Sequence, residues 1–274
     1  MTNAFSFVSL TSTAMFKNKV IWITGASSGL GKYMAYEFAK SGAWVALSAR
    51  RKEKLEEIKK EVDLLGGRGL CVICDVMEEE QIKNAVDEIV KHFGKIDVVV
   101  ANAGYGVVGS IEELDAHAWA RQMQVNVTGL ALTAKYGLPE LRKTGGRLAL
   151  IGSVAAYLPS PKTGAYGASK AAVRSIGQTL QVELKGSGVS CTVIHPGLVE
   201  SDIARVDNEG TLHIDREDPR PKNLMWPTDK AAKVIVKAIY DRKREYVFTG
   251  HGKLLSFLGQ HTPLLTRLLI GKIK

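Results

Sequence analysis

Cysteine is scarce in this chain. Three thiols among 274 residues, Cys71, Cys74 and Cys191, cannot build a disulfide framework. Cys71 and Cys74 spell C-x-x-C, but no second pair completes a zinc site, and no metal site is expected. The surrounding run GLCVICDV reads as a strand, in which an odd separation sends the two side chains to opposite faces. Both read as core thiols, and a reducing, cytoplasmic setting follows. Long apolar runs are missing as well: none reaches membrane-spanning length. The opening MTNAFSFVSLTSTAM lacks the basic start and apolar core of a signal peptide. There is no internal repeat and no low-complexity linker, so one large domain is expected. A net charge of +9, from 37 Lys+Arg against 28 Asp+Glu, comes without any nucleic-acid module. Its residues spread along solvent-facing helix positions such as RKEKLEEIKKE. The charge therefore reads as a solvated surface with an anionic small-molecule partner, not as a nucleic-acid interface.

What is present is an alternation. The β-branched runs KVIWIT, WVALS, KIDVVVA, RLALIGS and VSCTVI are separated by longer helical patterns. This order predicts an α/β fold: a single-domain, Rossmann-type, doubly wound and mostly parallel sheet with helices on both faces. The first half reads strand 20–24, helix 31–41, strand 44–48, helix 52–65, strand 69–74, helix 78–93 and strand 96–101. Met15 stands just before the first strand, so residues 1–14 read as a loose extension or an upstream start. Residues 1–18 are taken as an N-terminal extension, 19–250 as the catalytic domain and 251–274 as a basic amphipathic tail.

TGASSGLG at Thr24–Gly31 follows the first strand, where a dinucleotide pyrophosphate needs a glycine-rich turn. Gly25, Gly29 and Gly31 permit backbone angles and close approach that a Cβ would forbid. Ser27, Ser28 and Leu30 complete a turn that opens a helix with free N–H groups. A second match to G-x-G-x-x-G, Gly104 to Gly109, follows the fourth strand, with Ser110 and Glu113 as a capping box for a following helix. It follows the fourth strand, not the first, and no acid lies about twenty residues beyond it to meet a ribose, so the first turn is read as the phosphate site. The second strand ends Ala49-Arg50-Arg51, where an enzyme using NAD(H) carries an acid. Two guanidiniums suit a 2′-phosphate in charge and fork geometry, so NADP(H) is expected in preference to NAD(H).

The chemistry is carried by Ser153, thirteen residues before Tyr166, and by Lys170 four residues after it. Y-x-x-x-K alone is weak: Tyr36 and Lys40 match it too, with Ile23 where the serine should stand. AYGASKAAVRSIGQTLQVEL reads as one long helix, which puts Tyr166 and Lys170 on one face a turn apart. Ser153 ends a strand at the carboxyl edge, where open sheets bind ligands. A phenol with an ordinary pKa near ~10 is a poor proton shuttle at neutral pH. A neighbouring ammonium is expected to lower that value, while Ser153 holds the substrate oxygen.

At these residues the chain resembles the short-chain dehydrogenase/reductase family, from about Lys19 to Phe248. TGASSGLG resembles that family's TGxxxGxG turn. The resemblance implies that Asp75 and Val76 in CDV meet the adenine. Asn102, Ala103 and Gly104 then belong to a cofactor-lining NNAG-type turn, with Ala101 in place of its first asparagine. Asn126 in VNVTG corresponds to the asparagine of a water-linked proton relay to the lysine. Pro196 and Gly197, with Val199 after them, resemble the family's turn beside the nicotinamide, and Ser201 stands where many members have threonine near the carboxamide. The implied catalytic set is Asn126, Ser153, Tyr166 and Lys170, the last also gripping the ribose. A homodimer or homotetramer acting on a small-molecule carbonyl or alcohol is implied as well. Two rival classes are a cofactor-sensing binding protein with negligible turnover and a lyase or isomerase on the same fold.

Substrate choice is expected in Ala155–Pro161, around Tyr105–Val108, and in the polar, proline-containing segment 202–226, which reads as a mobile lid with Leu224, Met225 and Trp226 over an apolar substrate. His195 and His213 read as parts of an HPG turn and the lid. The tail is leucine-rich and basic with no acid. It reads as folding back on the body, as peripheral contact with an anionic membrane, or as a subunit contact.

Overall fold

Strand β1 (Val20–Thr24) shows how the sheet is buried: Val20 and Trp22 face one core layer, Ile21 and Ile23 the other. Such two-sided burial is what continuous apolar strands demand. The computed structural model describes residues 15–262 and 264. β1 is followed by α1 (Gly29–Lys40), β2 (Trp44–Ala49), α2 (Lys52–Leu64), β3 (Arg68–Ile73), α3 (Glu79–Phe93) and β4 (Val98–Ala101). The second half runs α4 (Ala116–Met123), a π-helical turn (Gln124–Gly129), α5 (Leu130–Thr144), β5 (Arg147–Ile151), α6 (Gly164–Glu183), β6 (Ser190–His195), α7 (Thr228–Tyr240), β7 (Glu245–Val247) and α8 (Gly250–His261).

The seven strands are ordered β3-β2-β1-β4-β5-β6-β7, and every pairing is parallel. One core layer packs α1, α2 and α7 on the sheet through Met34, Phe38, Ile58 and Ile235. The opposite layer packs α3, α5 and α6 through Ile82, Ile89, Leu141 and Val173. The buried indole of Trp22 donates to Ser48 Oγ at 2.9 Å, which removes the cost of an unpaired N–H in the core. Strand order reverses between β1 and β4, so a crevice opens beyond their carboxyl ends.

Four expectations need correcting. The body begins upstream of residue 19: Phe16 is 1% exposed and packs edge-on to Phe38 and Tyr240 at 5.0 and 5.6 Å. Residues 1–14 lie outside the described residues. Ser110 N–H does donate to Glu113 at 2.7 Å, but this closes a turn only; α4 begins later, capped by Asp115. β7 has no counterpart in the expected strands, since three residues carry no readable periodicity. Cys74 lies just past β3, opposite in facing to Cys71 as expected, yet it borders the crevice as well as the core. Burial pushes the thiols of Cys71 and Cys74 up to about 11 and about 12.

Over its described part the tail folds back on the body. Gly252, Ser256 and Gly259 of α8 face β7 and the segment Val154–Leu158, where small residues allow close approach. Leu254, Leu255 and Phe257 are left exposed.

Candidate active site

The turn after β1 and the turn after β4 are pinned to each other before any ligand is considered. Asn102 Nδ2 donates to the carbonyls of Thr24 (2.9 Å) and Gly25 (3.2 Å). The backbone N–H groups of Asn102 and Ala103 donate to Thr24 Oγ1 at 3.1 and 3.2 Å. Gly25 has φ +66°, and a Cβ there would stand 2.7 Å from the Ala103 backbone. A Cβ on Gly31 would collide with the Gly25 carbonyl. These two glycines are therefore required by the turn itself. Ser28 occupies the N-cap of α1, but its side chain makes no capping bond. The helix N-terminus is left to serve an anion.

A cleft of about 380 Å³ opens over these turns, within the size range of small-molecule sites. Every residue expected from the sequence to meet the cofactor lines it, from Gly25 to Ser201. At one end stand Arg50 and Arg51, both exposed. Arg51 Nη2 donates to Ser27 Oγ at 2.8 Å, and Arg50 Nη1 lies 3.9 Å from Asp75 Oδ2. The carboxylate thus faces only one of the two cations, and the pair suits a phosphate monoester in charge and fork geometry.

At the other end Ser153, Tyr166 and Lys170 share the wall. Ser153 follows β5 by two residues, and its Oγ accepts from the Ala155 N–H at 3.1 Å, capping the 3₁₀ turn Val154–Ala156. Tyr166 and Lys170 lie one turn apart on α6, with Lys170 Nζ 5.8 Å from the phenol ring centre. Lys170 Nζ donates to the Ile151 carbonyl at 2.8 Å, and burial lowers its pKa to about 8. The direction at Tyr166 differs from the expected one. Desolvation raises the phenol above its ordinary value, outweighing the Ser153 hydroxyl bond and the Arg220 charge, which both lower it. A phenol whose desolvation outweighs the charges around it stays protonated, which suits a proton donor.

Asn126 does not line the cleft. It is fully buried in the π-helical turn, where its Oδ1 accepts from Tyr105 N–H (3.0 Å) and its Nδ2 donates to the Tyr105 carbonyl (2.9 Å) and Ser169 Oγ (3.1 Å). Ser169 Oγ donates in turn to the Tyr166 carbonyl at 2.7 Å. The side chain is thus spent on bracing the Tyr105 loop and the start of α6. Pro196 and Gly197 leave β6 into the cleft; a Cβ on Gly197 would stand 2.7 Å from His251 Nε2.

The lid is anchored at two points. Arg220, bonded bidentately to Asp218, donates to the Val199 and Ser201 carbonyls at 3.0 and 2.9 Å. Asn208 both accepts from Val108 N–H and donates to its carbonyl. The lid residues on the cleft are Ile203, Val206, Leu212 and their neighbours, not Leu224–Trp226. Trp226 bridges to Val199 and packs on Phe248 at 5.6 Å, half-buried against the core. Segment Ala155–Pro161 does not reach the cleft either; Tyr157 turns to Glu245. The sequence reading missed Arg121 and Val125, which share a helix face with each other and line the cleft beside Tyr105. Their four-residue separation, one helical turn, is the signal the sequence carries for them.

Residues 19–211 match the family model described as short chain dehydrogenase. Among curated proteins, the chain is 39% identical over 73% of its length to "11-beta-hydroxysteroid dehydrogenase A" of Arachis hypogaea. It is 38% identical over 80% of its length to "11-beta-hydroxysteroid dehydrogenase" of Pinus massoniana. The alignments span only 58% and 64% of those two relatives. Among solved structures, an alcohol dehydrogenase of Thermococcus sibiricus complexed with 5-hydroxy-NADP superposes with a TM-score of 0.74 at 29% identity, covering 84% of this chain and 95% of that one.

Proposed function

The chain belongs to the short-chain dehydrogenase family of oxidoreductases, and on that premise we propose that it interconverts a carbonyl and a secondary or primary alcohol with NADP(H), working as a reductase where NADPH is abundant. One observation carries this reading: a single cleft joins the glycine turn and the Arg50–Arg51 pair to Ser153, Tyr166 and Lys170. When bound, the nicotinamide supplies the hydride. Ser153 donates to the carbonyl oxygen and holds it beside the phenol. Tyr166 gives its proton to that oxygen as negative charge develops there. The Lys170 ammonium steadies the phenolate left behind and grips the ribose. Asn126 contributes by holding the Tyr105 loop and the Tyr166 carbonyl in place. Gly25, Gly31 and the N-terminus of α1 receive the pyrophosphate, and Arg50 and Arg51 the 2′-phosphate.

Beyond the phenol the walls are Tyr105, Ile203, Val206 and Leu212, which favours a partly apolar substrate. The names of the two plant relatives place steroid ketones first in the test panel. NADPH consumption by the purified protein should collapse by about a hundredfold or more in Tyr166→Phe, the size of a lost general acid. Turnover unchanged in that variant would sink the proposal.

The same reading includes self-association and a surface contact for α8. Leu138, Ile176 and Leu180 line a groove between α5 and α6, beside an exposed Val182, which supports a homo-oligomer. Leu254, Leu255 and Phe257, in a tail with no acid, support peripheral attachment to an anionic bilayer. No helix of the described residues is long and apolar enough to cross one.

A further inference from the structure

Behind the catalytic serine lies a polar cluster that the proposed reaction does not use. His195, at the end of β6, is fully buried. Its Nδ1 faces the Ser153 carbonyl at 3.1 Å, and its Nε2 faces Glu245 Oε1 at 3.0 Å. The ring lies edge-on to Tyr157 at 5.0 Å, and a Cβ on Gly152 would stand 2.8 Å from Nδ1, so the imidazole is packed against the backbone just before Ser153.

Donor and acceptor counting constrains this contact. A carbonyl can only accept, so Nδ1 must carry a proton. Glu245 Oε1 already accepts from the Tyr157 hydroxyl (2.7 Å) and from Arg174 Nε (2.8 Å). It offers no proton of its own, so Nε2 must donate too. A neutral ring has one N–H and would leave one of two contacts as acceptor against acceptor. The groups around the ring come from each neighbouring element: the Ser153 carbonyl after β5, Tyr157 after the 3₁₀ turn, Arg174 from α6 and Glu245 from β7. Among them Glu245 is the one acid, and the His195 bond first, with those of Tyr157 and Arg174, pulls its carboxyl down to about 2.

We propose that His195 is a positioning residue: as an imidazolium balanced by Glu245, it clamps the Ser153 carbonyl through Nδ1–H and so sets the angle at which Ser153 Oγ meets the substrate oxygen. The clamp makes β7 part of the active site's support although none of its residues touches the cleft. Its kinetic consequence rests on the reductase reading; the charge state does not.

Two measurements test it. In protein labelled with 15N-histidine, with His195 assigned through its own substitution, both ring nitrogens should carry protons in the folded protein at neutral pH. A neutral tautomer at His195 would overturn the proposal. The second compares His195→Gln, whose amide reaches toward Glu245, with His195→Asn, whose amide nitrogen falls near Nδ1 and can still donate to Ser153. Misplacing a positioned group costs rate, so Gln should lower kcat about tenfold with the NADPH Kd within about twofold, while Asn recovers to within about threefold of wild type. Equal losses in the two variants, or a loss seen in Kd instead of kcat, would overturn it. If the wild type reduces no carbonyl at all, the reductase reading has failed, and the nitrogen signals alone decide the charge state.

Discussion

Arg51 reaches from the end of β2 to donate to Ser27 Oγ at 2.8 Å, so the strand end and the glycine turn share a cationic rim. Replacing Arg50 and Arg51 together by serine should lower kcat/KM for NADPH by roughly tenfold to a hundredfold, the worth of one or two charge-assisted bonds to phosphate. NADH, lacking the 2′-phosphate, should be used about as before. Equal losses with both cofactors would remove the phosphate assignment.

Gly31→Ala would drive a methyl group into the Gly25 carbonyl. The turn must open to admit it, so NADPH affinity measured by nucleotide fluorescence should drop well over about tenfold, as close backbone approach to the pyrophosphate is lost. Gly186→Ala, at φ +82° with open space around it, serves as the control. It should strain its own turn and leave nucleotide affinity intact. Comparable affinity losses in both would show that the glycine turn has no special part in binding.

Lys170 carries a positive charge below about pH 8 and loses it above, because burial penalises the ammonium. Carbonyl reduction needs a protonated Tyr166 and a cation to steady the phenolate it becomes. Reductive kcat should therefore hold through neutral pH and fall as pH rises past about 8. A profile flat to well above that point would separate Lys170 from the chemical step.

The Glu245 carboxyl is held at about 2 in the folded protein against an ordinary 4.5. Its folded-state value is depressed, so the stability it contributes is present above the ordinary value and is lost as pH falls from there toward 2. Urea midpoints at neutral and acid pH should drop steeply in the wild type. Glu245→Gln should start lower at neutral pH and lose less on acidification. Parallel pH dependences in the two proteins would show that the carboxylate bonds add no net stability.

Much of the active-site wall was legible because its signals are local. The glycine turn at Gly25–Gly31 announces itself by composition, and the four-residue step from Tyr166 to Lys170 by helix geometry. Arg50 and Arg51 could be read because a strand end has a known place in a doubly wound sheet. The sign of the Tyr166 shift was not legible. It depends on how much water the fold removes from the phenol, and desolvation there outweighs the neighbouring charge.

By itself the sequence determined the parallel alternation, the glycine-rich turn after the first strand and the spacing of the serine, tyrosine and lysine. Each is encoded within one element or at its end, where backbone period and residue type settle the outcome. Only the tertiary structure decided that Phe16 belongs to the core, that Trp226 packs inward, and that Glu245 meets His195 across fifty residues of chain. A three-residue strand such as β7 has too little length to show a period. It finds its place by pairing with β6, and it is that pairing which carries a carboxylate to the back of Ser153.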